Sequence, residues 1–91
     1  MIIDEKLLQA CIDKWGVDEQ IRMIQEECLE LALAIRKFYR NNQTIEYYNK
    51  VIDEIADVEL MLEQAKFIFD PFAIEKRLEY KVNRLKERLN E

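Results

Sequence analysis

Apolar residues recur along this chain every three or four positions, in four stretches separated by short polar breaks. Leu7, Leu8, Cys11, Ile12 and Trp15 form the first stripe, and their spacing predicts a helix from about Asp4 to Trp15. Gly16 is placed to end it in a left-handed conformation. Asp18 is then expected to cap a second helix, with Glu19 in the first turn favoured by the helix dipole. That helix runs to about Arg40 along the seam Val17, Ile21, Ile24, Cys28, Leu31, Ile35, Phe38, an alternation of fours and threes that marks a bundle seam. Asn41-Asn42 ends it, and Asn42 or Thr44 is expected to cap the third helix, from about Thr44 to Phe69. Its seam is Tyr48, Val51, Ile55, Val58, Leu62, Ala65, Phe69. Asp70-Pro71 closes that helix and opens a fourth, with Asp as N-cap and Pro at the first helical position. Leu78, Val82, Leu85 and Leu89 are the fourth seam. No repeat, linker or low-complexity segment interrupts the pattern. The expectation is an all-α, four-helix bundle in which residues 1–91 form a single domain.

The polar positions repeat as regularly as the apolar ones. One residue before each seam position, the second helix carries Gln20, Met23, Glu27, Glu30, Ala34 and Lys37. At the same offset the third carries Tyr47, Lys50, Glu54, Asp57, Met61 and Gln64, and the fourth Arg77, Lys81, Arg84 and Arg88. Residues three or four apart share a helix face. Glu27 and Glu30 therefore project together, as do Glu54 and Asp57. If the two helices pack side by side, the four carboxylates face one small volume. At a separation of about 5 Å and an effective dielectric near 20, each pair repels by about 3 kcal/mol. A cation between them removes that penalty, and all-oxygen ligands suit a hard ion such as Mg²⁺. A carboxylate-held metal beside a row of cations makes a receptacle for a polyphosphate.

Composition narrows the chemistry. Among 91 residues there is one Gly and one Pro, which implies long helices and short loops. A chain this short has a small core and often gains stability by self-association. Beyond the seams, Leu29, Leu33, Ile52, Leu60 and Ile68 supply enough apolar surface for a second buried face, so a homo-oligomer with twofold symmetry is expected. The net charge of −5 argues against nucleic acid or a membrane surface as partner. No apolar run approaches the roughly 18 residues of a membrane span, and the first residues lack the pattern of a signal peptide. Two cysteines, Cys11 and Cys28, at helical apolar positions point to a reducing, cytoplasmic setting. Histidine is absent, which excludes Ser-His-Asp and Cys-His catalysis and di-iron sites of the Glu-x-x-His kind. With two cysteines and no His, a zinc site has too few ligands.

A second interpretation uses the same residues. Charged stripes on helices are commonly solvated faces, and Arg77, Lys81, Arg84 and Arg88 also complement the dipole of the last helix or pair with Glu79, Glu87 and Glu91. On that account the chain is a non-catalytic helical dimerisation or adaptor module.

Glu26-Glu27-x-x-Glu30 followed by Glu54-x-x-Asp57 resembles the signature of the MazG-like all-α nucleoside triphosphate pyrophosphohydrolases. Trp15-Gly16, Gln20, Glu30-Leu31, the run from Asp53 to Val58 and the ending Lys81-x-x-Arg84-Leu85 resemble that family's text as well, so the likeness covers nearly the whole chain. It implies Mg²⁺-dependent hydrolysis, with Mn²⁺ able to substitute, of a (deoxy)nucleoside triphosphate to the monophosphate and pyrophosphate. Glu27, Glu30, Glu54 and Asp57 match the metal ligands, and Glu26 matches a position proposed in some members as the base for the attacking water. A salt bridge from Glu26 to Arg22 is the alternative role. Lys81 and Arg84, with Lys37 and Lys50, are then expected to hold phosphates, although Lys50 is equally placed to pair with Glu54. Trp15, Gln20 and Met61 are candidates for base or sugar contact, against a plain packing role for Trp15 and Met61. Members that place an aromatic residue one turn after the final Asp differ from this chain there. The resemblance further implies dimers, or tetramers of dimers, with the pocket between subunits.

Overall fold

Local sequence sets the helix ends, and the computed structural model, which describes residues 1–91, shows where they fall. There are four α-helices and no strand: α1 (Glu5–Trp15), α2 (Val17–Arg40), α3 (Ile45–Ile68) and α4 (Pro71–Leu89). No helix is long and apolar enough to cross a membrane. Asp4 caps α1 by accepting from the Lys6 N–H at 2.9 Å. Asp70 caps α4 as expected, accepting from the N–H groups of Phe72 and Ala73 at 3.0 and 3.1 Å, with Pro71 at the first helical position.

The α1–α2 junction differs from expectation. Gly16 has φ +88° and ψ 155°, an extended conformation of positive φ rather than left-handed helix. It accordingly serves both helices: its N–H donates to the Ile12 carbonyl at 2.7 Å, and its own carbonyl accepts from Gln20 at 3.1 Å. Helix α2 thus starts at Val17, one residue before Asp18, and has no side-chain cap. Thr44 occupies the cap position of α3 without capping it through its side chain.

Helices α2 and α3 form a long antiparallel hairpin. Helix α1 folds back across its open end against both, and α4 touches α3 alone. Each hairpin helix meets its neighbour through a face centred between the expected apolar seam and the polar stripe. Ile24, Leu31 and Phe38 of α2 and Val51, Val58 and Ala65 of α3 lie in the interface, as the seams predicted. Gln20, Met23, Glu27 and Ala34, and Tyr47, Glu54, Met61 and Gln64, lie there with them. Ile21, Cys28 and Ile35, and Tyr48, Ile55, Leu62 and Phe69, are left exposed. At 100° per residue this rotates each contact face by about 50° toward the polar side. An apolar sector wider than one neighbour can cover leaves half of itself free, and here both helices leave the same half.

Burial is correspondingly sparse. Leu8 and Met61 are the only buried apolar side chains, and α4 buries nothing. The radius of gyration is 16.1 Å, against about 12 Å for a compact 91-residue domain.

Candidate metal centre

The rotation of the α2 and α3 contact faces carries two carboxylates into the interface between them. Glu27 and Glu54 are half-buried and Asp57 is exposed beside them; one carboxylate oxygen from each lies within 4.8 Å of the other two. The Glu54 Oε2 atom is buried and accepts no hydrogen bond. Two ion pairs occur in the whole chain, Arg22–Glu19 and Lys66–Glu63, so none of these carboxylates has a basic partner. The proton affinity of Glu27 responds to this. Desolvation raises its pKa first, followed by the charges of Asp57, Glu54 and Glu30. The orphaned Glu54 oxygen and the raised Glu27 pKa have one origin: the cluster lacks positive charge, which either a proton or a cation supplies.

A hard cation fits the donor set. Oxygens on opposite sides of such an ion stand about 4.2 Å apart for Mg²⁺ and about 5 Å apart for Ca²⁺; the three carboxylate oxygens lie within 4.8 Å of one another. Glu30 stands outside the trio, one turn from Glu27 and exposed. It lines an adjoining polar cavity of about 180 Å³ together with Glu54, Asp53, Tyr47, Lys37 and Lys50. Lys37 and Lys50 are therefore brought to the cluster's edge. Lys50 makes no pair with Glu54; its ammonium lies 5.1 Å from the centre of the Tyr47 ring. Glu26 is exposed, and Arg22, its suggested partner, pairs instead with Glu19 at 3.3 Å.

On the other side of the carboxylates lies an apolar cleft of about 300 Å³ where α1 crosses the hairpin. Trp15, Gln20 and Met61 all line it. Trp15 stands half-exposed, while Met61 is buried and Gln20 is 3% exposed. Gln64, which sequence reasoning placed on the polar stripe without a role, is 2% exposed and ties the region together. Its Nε2 donates to the Leu8 carbonyl at 3.1 Å and to Gln20 Oε1 at 2.9 Å, joining all three helices. The available signal was its stripe position three residues beyond Met61; the direction from which α1 would arrive was not in the pattern.

Arg77, Lys81, Arg84 and Arg88 stay apart. They project from α4, which contacts neither α1 nor α2, and none lines the cavity beside the carboxylates. Their expected pairings with Glu79, Glu87 and Glu91 are also absent, and Arg77 lies over the Tyr80 ring at 4.8 Å. One flank of the hairpin thus presents, in order, an apolar cleft, a carboxylate cluster and a lysine-edged polar cavity. No protein-family model matches the chain, and no curated protein or solved structure matches it.

Proposed function

We propose that this protein is a Mg²⁺-dependent nucleotide pyrophosphohydrolase that converts a (deoxy)nucleoside triphosphate to the monophosphate and pyrophosphate. One observation carries the proposal: three converging carboxylates, one with a buried unpartnered oxygen, lie between an apolar cleft and a lysine-edged cavity on a single face. A solvated stripe needs no such convergence. Of the five MazG-like signature residues, Glu27, Glu54 and Asp57 are the ones that converge.

Glu27, Glu54 and Asp57 hold the ion, and Glu30 joins from the cavity edge. The chemistry Mg²⁺ supplies when bound is neutralisation of phosphate charge and acidification of water. Glu26, exposed and free of an ion pair, is the residue assigned to accept the proton of the attacking water. Lys37 and Lys50 face the β- and γ-phosphates and offset the charge that builds on the departing pyrophosphate. Trp15, Gln20 and Met61 line the space for base and sugar. Cys11 and Cys28 are unpaired, which suits a reducing cytoplasm and its nucleotide pool.

Self-association belongs to the same reading. The chain exposes 7720 Å² where a compact monomer of its 11.0 kDa exposes about 5600 Å². The excess is more than twice the roughly 800 Å² that each partner contributes to a standard interface. A dimer or tetramer that covers the free apolar halves of α2, α3 and α4 is one way for Lys81 and Arg84 to reach a carboxylate cluster, that of another copy. The unpartnered stripe of Leu78, Val82, Leu85 and Leu89 equally favours a dimerisation module without turnover.

Pyrophosphate release separates the two readings. The protein with Mg²⁺ is expected to release pyrophosphate from at least one standard or modified (d)NTP, and Asp57→Asn to lose that activity with its helical circular dichroism unchanged. Full activity in the variant would overturn the metal assignment, and inactivity across the substrate panel would favour the module.

A further inference from the structure

Two cations border the polar cavity beside the carboxylates, and one of them is held by a ring rather than by an acid. Lys50 stands one helical turn, about 6 Å, before Glu54. Glu46 and Asp53 also lie within four residues of it, a spacing at which opposite charges commonly pair. Lys50 pairs with none of the three. Its ammonium lies 5.1 Å from the centre of the Tyr47 ring, inside the roughly 6 Å reach of a cation–π contact. Lys14 and Arg77 also lie over rings, but neither borders this cavity, whereas Tyr47, Lys50 and Glu54 all do.

Both the direction and the chemistry of this contact matter. At 100° per residue, Tyr47 lies about 60° from Lys50 on the side of the α2–α3 groove, while Glu46 and Asp53 lie on the side away from it. Tyr47 is half-buried in the hairpin interface and so offers a fixed surface; Lys50 is exposed, on a flexible stem. A carboxylate partner would cancel the charge of the ammonium and take up its donors. Were that partner Glu54, it would also engage an oxygen of the metal set. An aromatic face holds the cation without either loss and leaves its N–H donors for an anion.

We propose that Tyr47 is a positioning residue: its ring holds the Lys50 ammonium in the polar cavity and off Glu54, where it meets the β- and γ-phosphates. The inference rests on the hydrolase reading for the identity of the anion, and adds to it the residue that keeps Lys50 available. Lys37 enters the same cavity from α2 with no ring beneath its ammonium, and so serves as the internal control.

The probe is inorganic pyrophosphate with Mg²⁺, titrated by calorimetry so that turnover does not enter the readout. Tyr47→Leu is expected to weaken binding about two- to fivefold, the scale of a cation–π contact at an exposed site, and Tyr47→Phe, which keeps the ring face, to restore it. The loss is expected to vanish when Tyr47→Leu is made in Lys50→Met protein and to persist in full in Lys37→Met protein. An equal loss in both backgrounds would make Tyr47 a structural residue and overturn the inference, as would the absence of pyrophosphate binding by the unaltered protein. If Tyr47→Leu does not fold, the Lys50 ε-methylene protons of the unaltered protein decide by NMR: an upfield ring-current shift is expected, and its absence would overturn the inference. A Lys50-dependent loss in a protein that releases pyrophosphate from no nucleotide would remove the hydrolase reading and leave the positioning role standing. Release of pyrophosphate with equal losses in the two backgrounds would do the reverse.

Discussion

The α2–α3 hairpin and α4 carry similar seams and meet opposite fates. Both have apolar residues every three or four positions flanked by a charged stripe. In the hairpin the two helices pack on each other, and the stripe is drawn into the interface with its carboxylates. In α4 the apolar stripe finds no surface: Leu78, Val82, Leu85 and Leu89 are all exposed, and the basic row beside them meets no acid of its own chain. A periodic stripe states that a helix needs a neighbour without saying which one. For the hairpin the four-residue connection from Asn41 to Thr44 answers that question, because a short loop leaves the next helix only the antiparallel position. For α4 the Asp70-Pro71 junction turns the chain away, and the neighbour must come from elsewhere.

The largest effect that sharpens this contrast is expected at the hairpin's buried acids. Glu27→Gln removes a ligand and should lower pyrophosphate release by at least about 100-fold. In metal-free protein the same change relieves repulsion and desolvation, so it should raise the melting temperature by a few degrees. Opposite signs in the two assays identify a site that trades stability for a cation. A fall in both would place Glu27 among ordinary structural residues. On α4 the matching experiment is Leu85→Glu, measured by light scattering after size exclusion. A shift from oligomer to monomer is expected, with loss of about 1–3 kcal/mol of stability, the value of one buried leucine. An unchanged mass would show that the stripe is covered by nothing in solution.

An intermediate effect comes from pH. Glu27 holds its proton more tightly in the folded chain than in the unfolded one. The penalty is absent below the ordinary carboxylate pKa and complete above the raised value. Between them stability of the metal-free protein falls as pH rises. Saturating Mg²⁺ should reverse the trend, since it binds the ionised cluster of the folded state. Thermal melts across the acid range with EDTA and with Mg²⁺ test both signs; parallel curves would break the link between Glu27 and a cation.

Much of this was legible in the residues, and the exceptions have physical causes. Helix number, type and approximate ends follow from periodicity and from Asp4, Gly16 and Asp70-Pro71. The convergence of Glu27, Glu54 and Asp57 was readable from a shared offset. The rotation of the contact face was not, because a seam of threes and fours marks a sector about 100° wide and any direction within it satisfies the pattern. Glu30 therefore falls at the edge of the cluster rather than inside it. Gln64 was missed for a related reason: its role depends on α1 arriving over the end of the hairpin, a contact between residues 56 apart in sequence. The α4 basic row was expected beside the acids from its shared offset, and an offset along one helix does not say which copy's acids the row meets.

The smallest effect isolates what holds α4 helical while it lacks a packed face. Its N-terminus is secured by Asp70, which accepts from two backbone N–H groups, and by Pro71. In proteins most helical stability comes from packing of an amphipathic face, which α4 lacks in the single chain. The cap thus carries a larger share of the stability of α4 than of a helix fixed by packing. Asp70→Ala is expected to cost about 1 kcal/mol, with helical signal lost from α4 and the Mg²⁺-induced stabilisation unchanged. Asp4→Ala, at the cap of the packed helix α1, removes one such bond and should cost less. Hydrogen exchange of the α4 amides reads the difference. Equal protection in the two variants would mean that α4 is held by a partner surface in solution, which makes the cap redundant and shifts the contrast between hairpin and α4 from the single chain to the assembly.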